Sequence, residues 1–301
     1  MKEKILYIYP TKPFNFDLTK RIVKNFFPTK ENYRIINDNI VFSYNLANQL
    51  VIVALKSLGT LEEPKIKVKL LSHKGLYDSE IKKIKNKIIR QFSLKITLSD
   101  FYEKLYNFDF LKHKFKKLYG YHPVSFSSIE EAGIWAILSQ HSKFQQAYNQ
   151  KKDISLLCSF KESVKSIEFH GFPNIKQLGS IPKETCIEIV GDCRKVTYLS
   201  NFISTLNNIE IDDLYTYSYD KLFDLLISIK GIGTWSSEFI ILRGAANFEK
   251  APLSERANIK VFQQYYNEQI DKYISFYSTY RGLWIHYLRI YDYLNKGVLS
   301  R

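Results

Sequence analysis

Two glycines one residue apart stand between two apolar stretches with helical spacing, in the segment LLISIKGIGTWSSEFIIL. Glycine lacks a Cβ atom and readily reaches positive φ, so the amides of such a turn and of the next helix can approach an anion closely. We therefore predict a phosphate-binding turn made of Lys230, Gly231, Ile232, Gly233 and Thr234.

The alternative is a turn that merely joins two core helices and binds nothing. Apolar positions on both sides suit a shared core, with Ile232 as a plug between the helices and Leu226, Ile229, Phe239 and Leu242 around it. The small residues Ser236 and Ser237 permit close helix packing. These cues, together with the charge of the chain, favour the anion-binding interpretation.

The charge balance points to an anionic partner. Lys and Arg number 44 against 30 Asp and Glu, which gives a formal net charge of +14 and an isoelectric point near 9.4. Long-range attraction then favours nucleic acid, although charge alone does not distinguish DNA, RNA and an anionic membrane surface.

The cysteines do not form a metal-binding pattern. Cys158, Cys186 and Cys193 lack a CxxC pair, so we expect neither a zinc site nor an iron-sulfur cluster, and no cofactor. The opening MKEKILYIYPTK is too short an apolar run for a signal peptide, and no segment reaches the ~18 apolar residues of a membrane span. We expect a cytoplasmic protein.

The elements that must position this turn fall into two groups. Alternating apolar residues at 33–44, 49–57 and 65–72 predict antiparallel strands after an N-terminal strand, with helices over 17–27 and after Asp78. From about Leu98 helical periodicity takes over, with a capping box expected at Ser128 and Glu131 and a cap at Thr234. The sequence thus predicts an α+β protein with an N-terminal antiparallel domain (1–97) and a mainly helical region (98–301).

Several stretches resemble the helix-hairpin-helix DNA glycosylase superfamily, in particular the 3-methyladenine DNA glycosylase II type. Besides the hairpin itself, they are PFNFDLTKRIV (13–23), GYHPVSFSSIEEAGIWAILSQHSKFQQA (120–147), FHGFPNIKQLGSIP (169–182) and YRGLWIHYLRIY (280–291). The resemblance implies a β domain followed by two helical subdomains that flank a cleft. It also implies flipping of a damaged base and cleavage of its glycosidic bond.

The residue after Thr234 bears on the subtype. Superfamily members that cleave the strand have a lysine two residues after the second hairpin glycine, whereas this chain has Trp235. The resemblance therefore implies a monofunctional enzyme that uses water. Trp235, Tyr280 and Trp135 are the expected base-pocket aromatics, since a cationic alkylated base binds by stacking and cation–π attraction. A core role for Trp235 stays open.

The family's catalytic aspartate has no direct counterpart here, because no Asp occurs from Glu249 to Ile270. A carboxylate is needed to stabilise the positive charge that develops on the sugar. Counting forward from the hairpin places that position on Glu255, and counting back from Ile259 places it on Arg256. We predict Glu255 as the catalytic residue; Arg256 at that position would repel the cation and leave a non-catalytic DNA binder. Glu130 and Glu131 are weaker candidates.

A flipped nucleotide leaves a gap that a side chain must fill. The family's wedge follows the A-I-L-x-Q run, which places His141 there and Ser142 and Lys143 near the flanking phosphates. The expected partner is duplex DNA containing damaged bases, bound by a monomer. A non-catalytic duplex binder is the alternative. A lyase acting on oxidised bases is the least favoured, because Lys230 lies in the turn and not at the Schiff-base position.

Overall fold

The computed structural model describes residues 1–108, 111–164, 166–266 and 269–296, with residue 108 described in its backbone alone. A five-stranded antiparallel sheet forms the N-terminal part, in the order β1-β5-β4-β3-β2. Its strands are β1 (Lys2–Ile8), β2 (Arg34–Ile36), β3 (Asn39–Asn45), β4 (Leu50–Ser57) and β5 (Ile66–Ser72). The predicted strands are confirmed.

Alternation explains why this sheet forms. In β5 every second residue is buried, and the lysines between them face outward, because successive side chains of a strand point to opposite faces. Helices α1 (Phe16–Asn25) and α2 (Asp78–Gln91) accompany the sheet. The isoleucine stripe predicted for α2 is confirmed, with Ile84 and Ile88 buried.

The rest of the described chain is mainly helical, so the predicted α+β class is confirmed. The first of its helices are α3 (Ser99–Phe108), α4 (Lys112–Phe115), α5 (Ile129–Ser139), α6 (Phe144–Cys158), α7 (Ile175–Gly179), α8 (Lys183–Val190), α9 (Cys193–Asn207) and α10 (Ile211–Leu214). They are followed by α11 (Tyr219–Ile227), α12 (Thr234–Arg243), α13 (Arg256–Tyr265), α14 (Ile270–Tyr277) and α15 (Arg281–Asn295). No helix of the described residues is both long and apolar enough to cross a bilayer.

A small hairpin interrupts the helical part and was not predicted. It consists of β6 (Lys161–Val164) and β7 (Ile167–His170). Phe169 packs with Val41, Leu50 and Ile52 on the outer face of the large sheet. The Asn45 side chain also donates to the Gly171 carbonyl at 2.8 Å. The hairpin thus covers a face that β3 and β4 would otherwise expose.

Two large apolar cores organise the molecule. One combines residues from the sheet, α2 and α3 with residues of α13, α14 and α15, including Trp284 and Tyr287. The other lies within residues 126–241 and includes α5, α9, α11 and α12. The division of the chain near residue 98 remains a prediction, since α3 and the last helices pack in the same core as the sheet.

A buried ion pair connects the N-terminal part to the helical part. The Lys151 ammonium on α6 lies 2.9 Å from Glu131 of α5 and 3.2 Å from Glu31, with both pairing distances measured between Nζ and Oε1. Ser128 caps α5 as predicted. The Glu131 carboxylate does not complete the expected capping box; it accepts instead from the Ser127 amide and hydroxyl. Glu131 is fully buried and serves this structural pair.

Candidate active site

The hairpin predicted from the two glycines is formed by α11 and α12 and the turn between them. Ile232 is 4% exposed and plugs the space between the helices, as expected. Lys230, Gly233 and Thr234 are exposed. The turn therefore presents its outer side to solvent, where a phosphate could approach it.

The two glycines serve different purposes. Gly231 has a φ of +103°, and a Cβ atom built there would lie 2.2 Å from Cγ of the Tyr198 ring. Gly233 has a φ of −95° and meets nothing within 4 Å of its hypothetical Cβ atom. The expectation of positive φ is thus confirmed at Gly231 and wrong at Gly233, whose backbone is extended because it is the N-cap of α12.

The expectation that Thr234 caps α12 is wrong. Thr234 is the first helical residue, and no side chain accepts a hydrogen bond from the first turn of this helix. The N-terminus of a helix carries unpaired N–H groups and partial positive charge. Without a side-chain cap, the first turn of α12 keeps donors that an anion can accept from.

A cleft of about 700 Å³ lies against the hairpin. The cleft is lined by residues 231–235 of the turn and the start of α12, together with Ser139, Gln140, His141 and Tyr198. The Gln140 side chain donates to the Gly231 carbonyl at 2.9 Å and to the Ser236 hydroxyl at 3.2 Å. The structure therefore brings the predicted wedge and the predicted phosphate-binding turn to one site.

His141, Ser142 and Lys143 differ in what they can offer to a ligand. His141 is exposed and has a φ of +50°, so the chain turns sharply at this residue. Lys143 is exposed as well. The Ser142 hydroxyl accepts a hydrogen bond from the Lys195 ammonium, which also donates to the Leu138 carbonyl at 2.9 Å. His141 and Lys143 thus remain accessible, whereas Ser142 is held by a neighbour.

The three predicted pocket aromatics are not together. Trp235 is half-buried, lines the cleft and stacks on Phe239 with a centroid distance of 5.5 Å. Trp135 is 2% exposed in the second core, so its assignment to a base pocket does not fit its position. Tyr280 lies in a separate cavity of about 670 Å³ lined also by Phe248 and Leu283, and donates to Asp100. Of the three, Trp235 alone lines the hairpin cleft.

Glu255 is the N-cap residue of α13, and its side chain is about one-quarter exposed. Its Oε1 atom lies 2.9 Å from the Arg289 Nη1 atom. Arg289 donates further to Asn258 at 2.9 Å and to Tyr293 at 2.7 Å. Burial lowers the pKa of Arg289, but Glu255 and Tyr293 raise it by more. Arg256 is exposed at the start of α13.

Two charged residues beside Glu255 were not predicted from the sequence. Arg289 lies 34 positions away on α15, so no local spacing could have revealed the ion pair. Glu238 lies one turn after Trp235 on α12 and accepts from the Ser254 amide at 3.2 Å and from the Ser254 hydroxyl. The spacing of three residues from Trp235 was a usable signal for Glu238, because such positions share a helix face.

Comparisons with known proteins bear on the fold. No family model matches the chain. The DNA-3-methyladenine glycosylase of Bacillus subtilis (strain 168) is 26% identical over 160 residues, which are 50% of this chain and 51% of that protein. The 3-methyladenine DNA-glycosylase structure from Archaeoglobus fulgidus superposes with a TM-score of 0.77 at 17% identity, covering 96% of this chain and 98% of that one. The chain has the fold of the helix-hairpin-helix DNA glycosylases.

A second structure of this fold extends the comparison. The Clostridium acetobutylicum 8-oxoguanine glycosylase/lyase in complex with double-stranded DNA has a TM-score of 0.68 at 14% identity, covering 98% of both chains. The expected resemblance is thus confirmed for the fold. The match to the curated relative spans about half the length of either protein.

Proposed function

We propose that this chain is a DNA glycosylase of base excision repair that flips alkylated bases of the 3-methyladenine type and removes them with water. The single observation that carries this proposal is the cleft in which an uncapped α12 N-terminus, the exposed His141 and the half-buried Trp235 meet. The fold and the curated relative support the same proposal, since the named relative and structural neighbour are glycosylases.

Each part of this cleft has a role in the proposed reaction. The first amides of α12 and Lys230 bind a phosphate of one strand. His141 fills the gap that the flipped nucleotide leaves, and Lys143 contacts a neighbouring phosphate. Trp235, supported by Phe239, stacks on the extruded base. A base alkylated on a ring nitrogen is cationic, so an aromatic face attracts it without an acid to assist departure.

Glu255 supplies the carboxylate of the proposed mechanism. As the C1′–N bond breaks, its electron pair leaves with the base and positive charge grows on the sugar, which a nearby carboxylate stabilises. Water then adds to C1′ and loses a proton. Trp235 stands where strand-cleaving relatives have a lysine, so the product we expect is an intact strand with an abasic site. The partner is duplex DNA within the cell, and the protein acts as a monomer.

A non-catalytic duplex binder on the same scaffold is the second candidate. It is favoured by one observation, the salt bridge of Glu255 to Arg289, because a guanidinium beside the acid reduces the negative potential available to the sugar. The two candidates share the hairpin and the cleft, so they differ only in base release.

Base release from defined duplexes separates them. Duplexes containing 3-methyladenine, 1-methyladenine, hypoxanthine or 8-oxoguanine are incubated with the protein and divided into samples with and without alkali. Strand breaks that require alkali support the proposed monofunctional glycosylase. Breaks without alkali, or trapping by borohydride, indicate a lyase; tight binding without release supports the duplex binder.

The first prediction concerns Glu255→Gln, which keeps the size of the side chain and an oxygen that can accept from Arg289. We expect base release to slow about 100-fold or more, because one charged transition-state contact is lost, with duplex affinity unchanged. Glu249→Gln is the matched control, an exposed acid in the segment 244–255 that links α12 to α13 and ends at Glu255. An unchanged rate in Glu255→Gln would remove Glu255 from its role.

A further inference from the structure

We infer that Glu238 is a positioning residue that joins the hairpin helix to the turn bearing Glu255, and so sets where the acid stands relative to the bound strand. This inference rests on the proposed function. The proposed mechanism does not use the Glu238 carboxylate for chemistry; this side chain instead keeps the spacing between two separate parts of the site.

Glu238 connects α12 to the turn bearing Glu255 through its contacts with Ser254. Its Oε2 atom accepts from both the backbone amide and the hydroxyl of Ser254, the residue before Glu255. On its own helix Glu238 lies one turn after Trp235, so both side chains project from one face of α12. One carboxylate oxygen therefore connects the helix that begins at the hairpin with the residue that precedes the proposed catalytic acid.

The segment that Glu238 attaches to α12 is long. Twelve residues, 244–255, run between the end of α12 and the start of α13. Other contacts attach it to the C-terminal helices: Asn258 donates to the Pro252 carbonyl at 2.7 Å, and Gly282 lies so close that a Cβ atom would be 2.4 Å from the Phe248 carbonyl. Arg289 holds Glu255 itself. Glu238 adds a connection to the helix that starts at the DNA-binding turn.

The electrostatic setting of Glu238 agrees with this role. Burial raises the pKa of Glu238, Ser254 lowers it, and the neighbouring Glu255 raises it further. Tyr219 of α11 also faces this carboxylate, and Lys250 of the linking segment covers the Tyr219 ring while pairing with Asp220. A half-buried carboxylate beside a second carboxylate is electrostatically unfavourable. The hydrogen bonds that Glu238 accepts from Ser254, and not its charge as such, therefore explain why a carboxylate occupies this position.

Two substitutions separate the hydrogen bond from the charge. Glu238→Ala removes the acceptor, and a displacement of about 1 Å at a catalytic group costs on the order of 100-fold in rate. We expect kcat for base release to fall at least tenfold while Kd for a duplex with an abasic-site analogue stays within about threefold. Glu238→Gln retains an acceptor for Ser254 and lacks the repelled charge, so kcat returns to within about threefold of the wild-type value.

Glu188→Ala serves as the control, since it removes one exposed acid from α8 with the same change of net charge. A Glu238→Ala variant with wild-type kcat overturns the inference. Equal losses in Glu238→Ala and Glu238→Gln also overturn it, because they show that the charge or proton of Glu238 takes part in the chemistry directly.

A measurement without turnover keeps the inference distinct from the proposed function. Hydrogen exchange of the folded protein reports the Ser254 amide, and Glu238→Ala should exchange at least tenfold faster over residues 252–256, with no change over residues 228–236. Equal exchange in the wild-type protein and Glu238→Ala would show that Glu238 does not hold Ser254, even if base release slows. A wild-type protein that releases no base refutes the proposed function, and the exchange result still decides whether Glu238 holds Ser254.

Discussion

Replacing Gly231 by alanine tests the hairpin most directly. The residue has a φ of +103°, and a Cβ atom there would lie 2.2, 2.4 and 2.6 Å from three atoms of Tyr198. Neither the backbone conformation nor the available space suits alanine. The Tyr198 ring must move away, or the turn must open and carry Gln140 with it, because Gln140 is bound to the Gly231 carbonyl.

The expected destabilisation follows from two contributions. A residue other than glycine held at a disfavoured positive φ costs about 1–3 kcal/mol. Displacing a packed ring adds about 1–3 kcal/mol, the usual cost of inserting a group into filled space. A total of about 4 kcal/mol corresponds to a fall in Tm of roughly 8–16 °C at the scale of about 2–4 °C per kcal/mol for larger chains.

Gly233→Ala is the matched comparison. Its backbone is extended, its site is open, and alanine at an N-cap costs about 1 kcal/mol. The new methyl group stands instead where we propose that a phosphate approaches, so we expect duplex affinity to fall about tenfold with a Tm change of only a few degrees. Calorimetry measures Tm, and fluorescence anisotropy at fixed salt measures Kd.

A Gly231→Ala variant that unfolds at the wild-type temperature would show that the tight contact with Tyr198 is absent. A Gly233→Ala variant that binds duplex as the wild-type protein does would show that the turn only connects two helices. A double variant, Gly231→Ala with Tyr198→Ala, isolates the clash: the two substitutions should be less harmful together than the sum of their separate effects.

Two further predictions address the buried ion pair and the wedge. Lys151→Met leaves Glu131 buried without its cation, and we expect a loss of about 3–5 kcal/mol of unfolding free energy in urea titrations. Burial raises the pKa of Glu131, but Lys151 and Ser127 lower it by more, so the pKa lies below its ordinary value of 4.5. The ion pair therefore stabilises the wild-type protein above pH 4.5. This contribution disappears as the pH falls through the folded-state pKa of Glu131. A wild-type protein whose stability does not decline below pH 4.5 would contradict this assignment. For His141→Ala, we expect extrusion of a 2-aminopurine probe to drop about tenfold with duplex affinity within about threefold; unchanged extrusion would exclude His141 as the wedge.

Local patterns in the sequence predicted much of the fold. The alternation of isoleucine, valine and leucine with lysine in β5 specifies a strand with one buried face, and the isoleucine stripe of α2 specifies its packed side. The β6–β7 hairpin was missed because each strand has only four residues. The hairpin is stabilised by packing of Phe169 against β3 and β4, which are distant in sequence. Local residue spacing cannot predict such a contact.

The candidate site was predictable where it depends on local conformation and unpredictable where it depends on packing. The paired glycines indicated the hairpin because glycine is typical of such turns, whereas the positive φ at Gly231 alone is a property of the folded structure. Trp135 and Trp235 are equivalent as residue types; the packing of α5 in the second core buries the first and leaves the second in the cleft. The partner of Glu255 comes from α15, so its identity is a property of the tertiary structure.

The two cores have a consequence for how the chain matures as it leaves the ribosome. The buried residues of the second core all lie within 126–241, with Phe26, Phe27 and Ala245 packed against it, so this middle portion can bury most of its apolar surface before the last helices are made. The sheet is synthesised earlier, but Tyr266, Trp284 and Tyr287, which complete its core, come last. Its first residues and its last helices meet only after a loop of more than one hundred residues closes, and a loop that has already folded brings those partners closer than an unstructured one would.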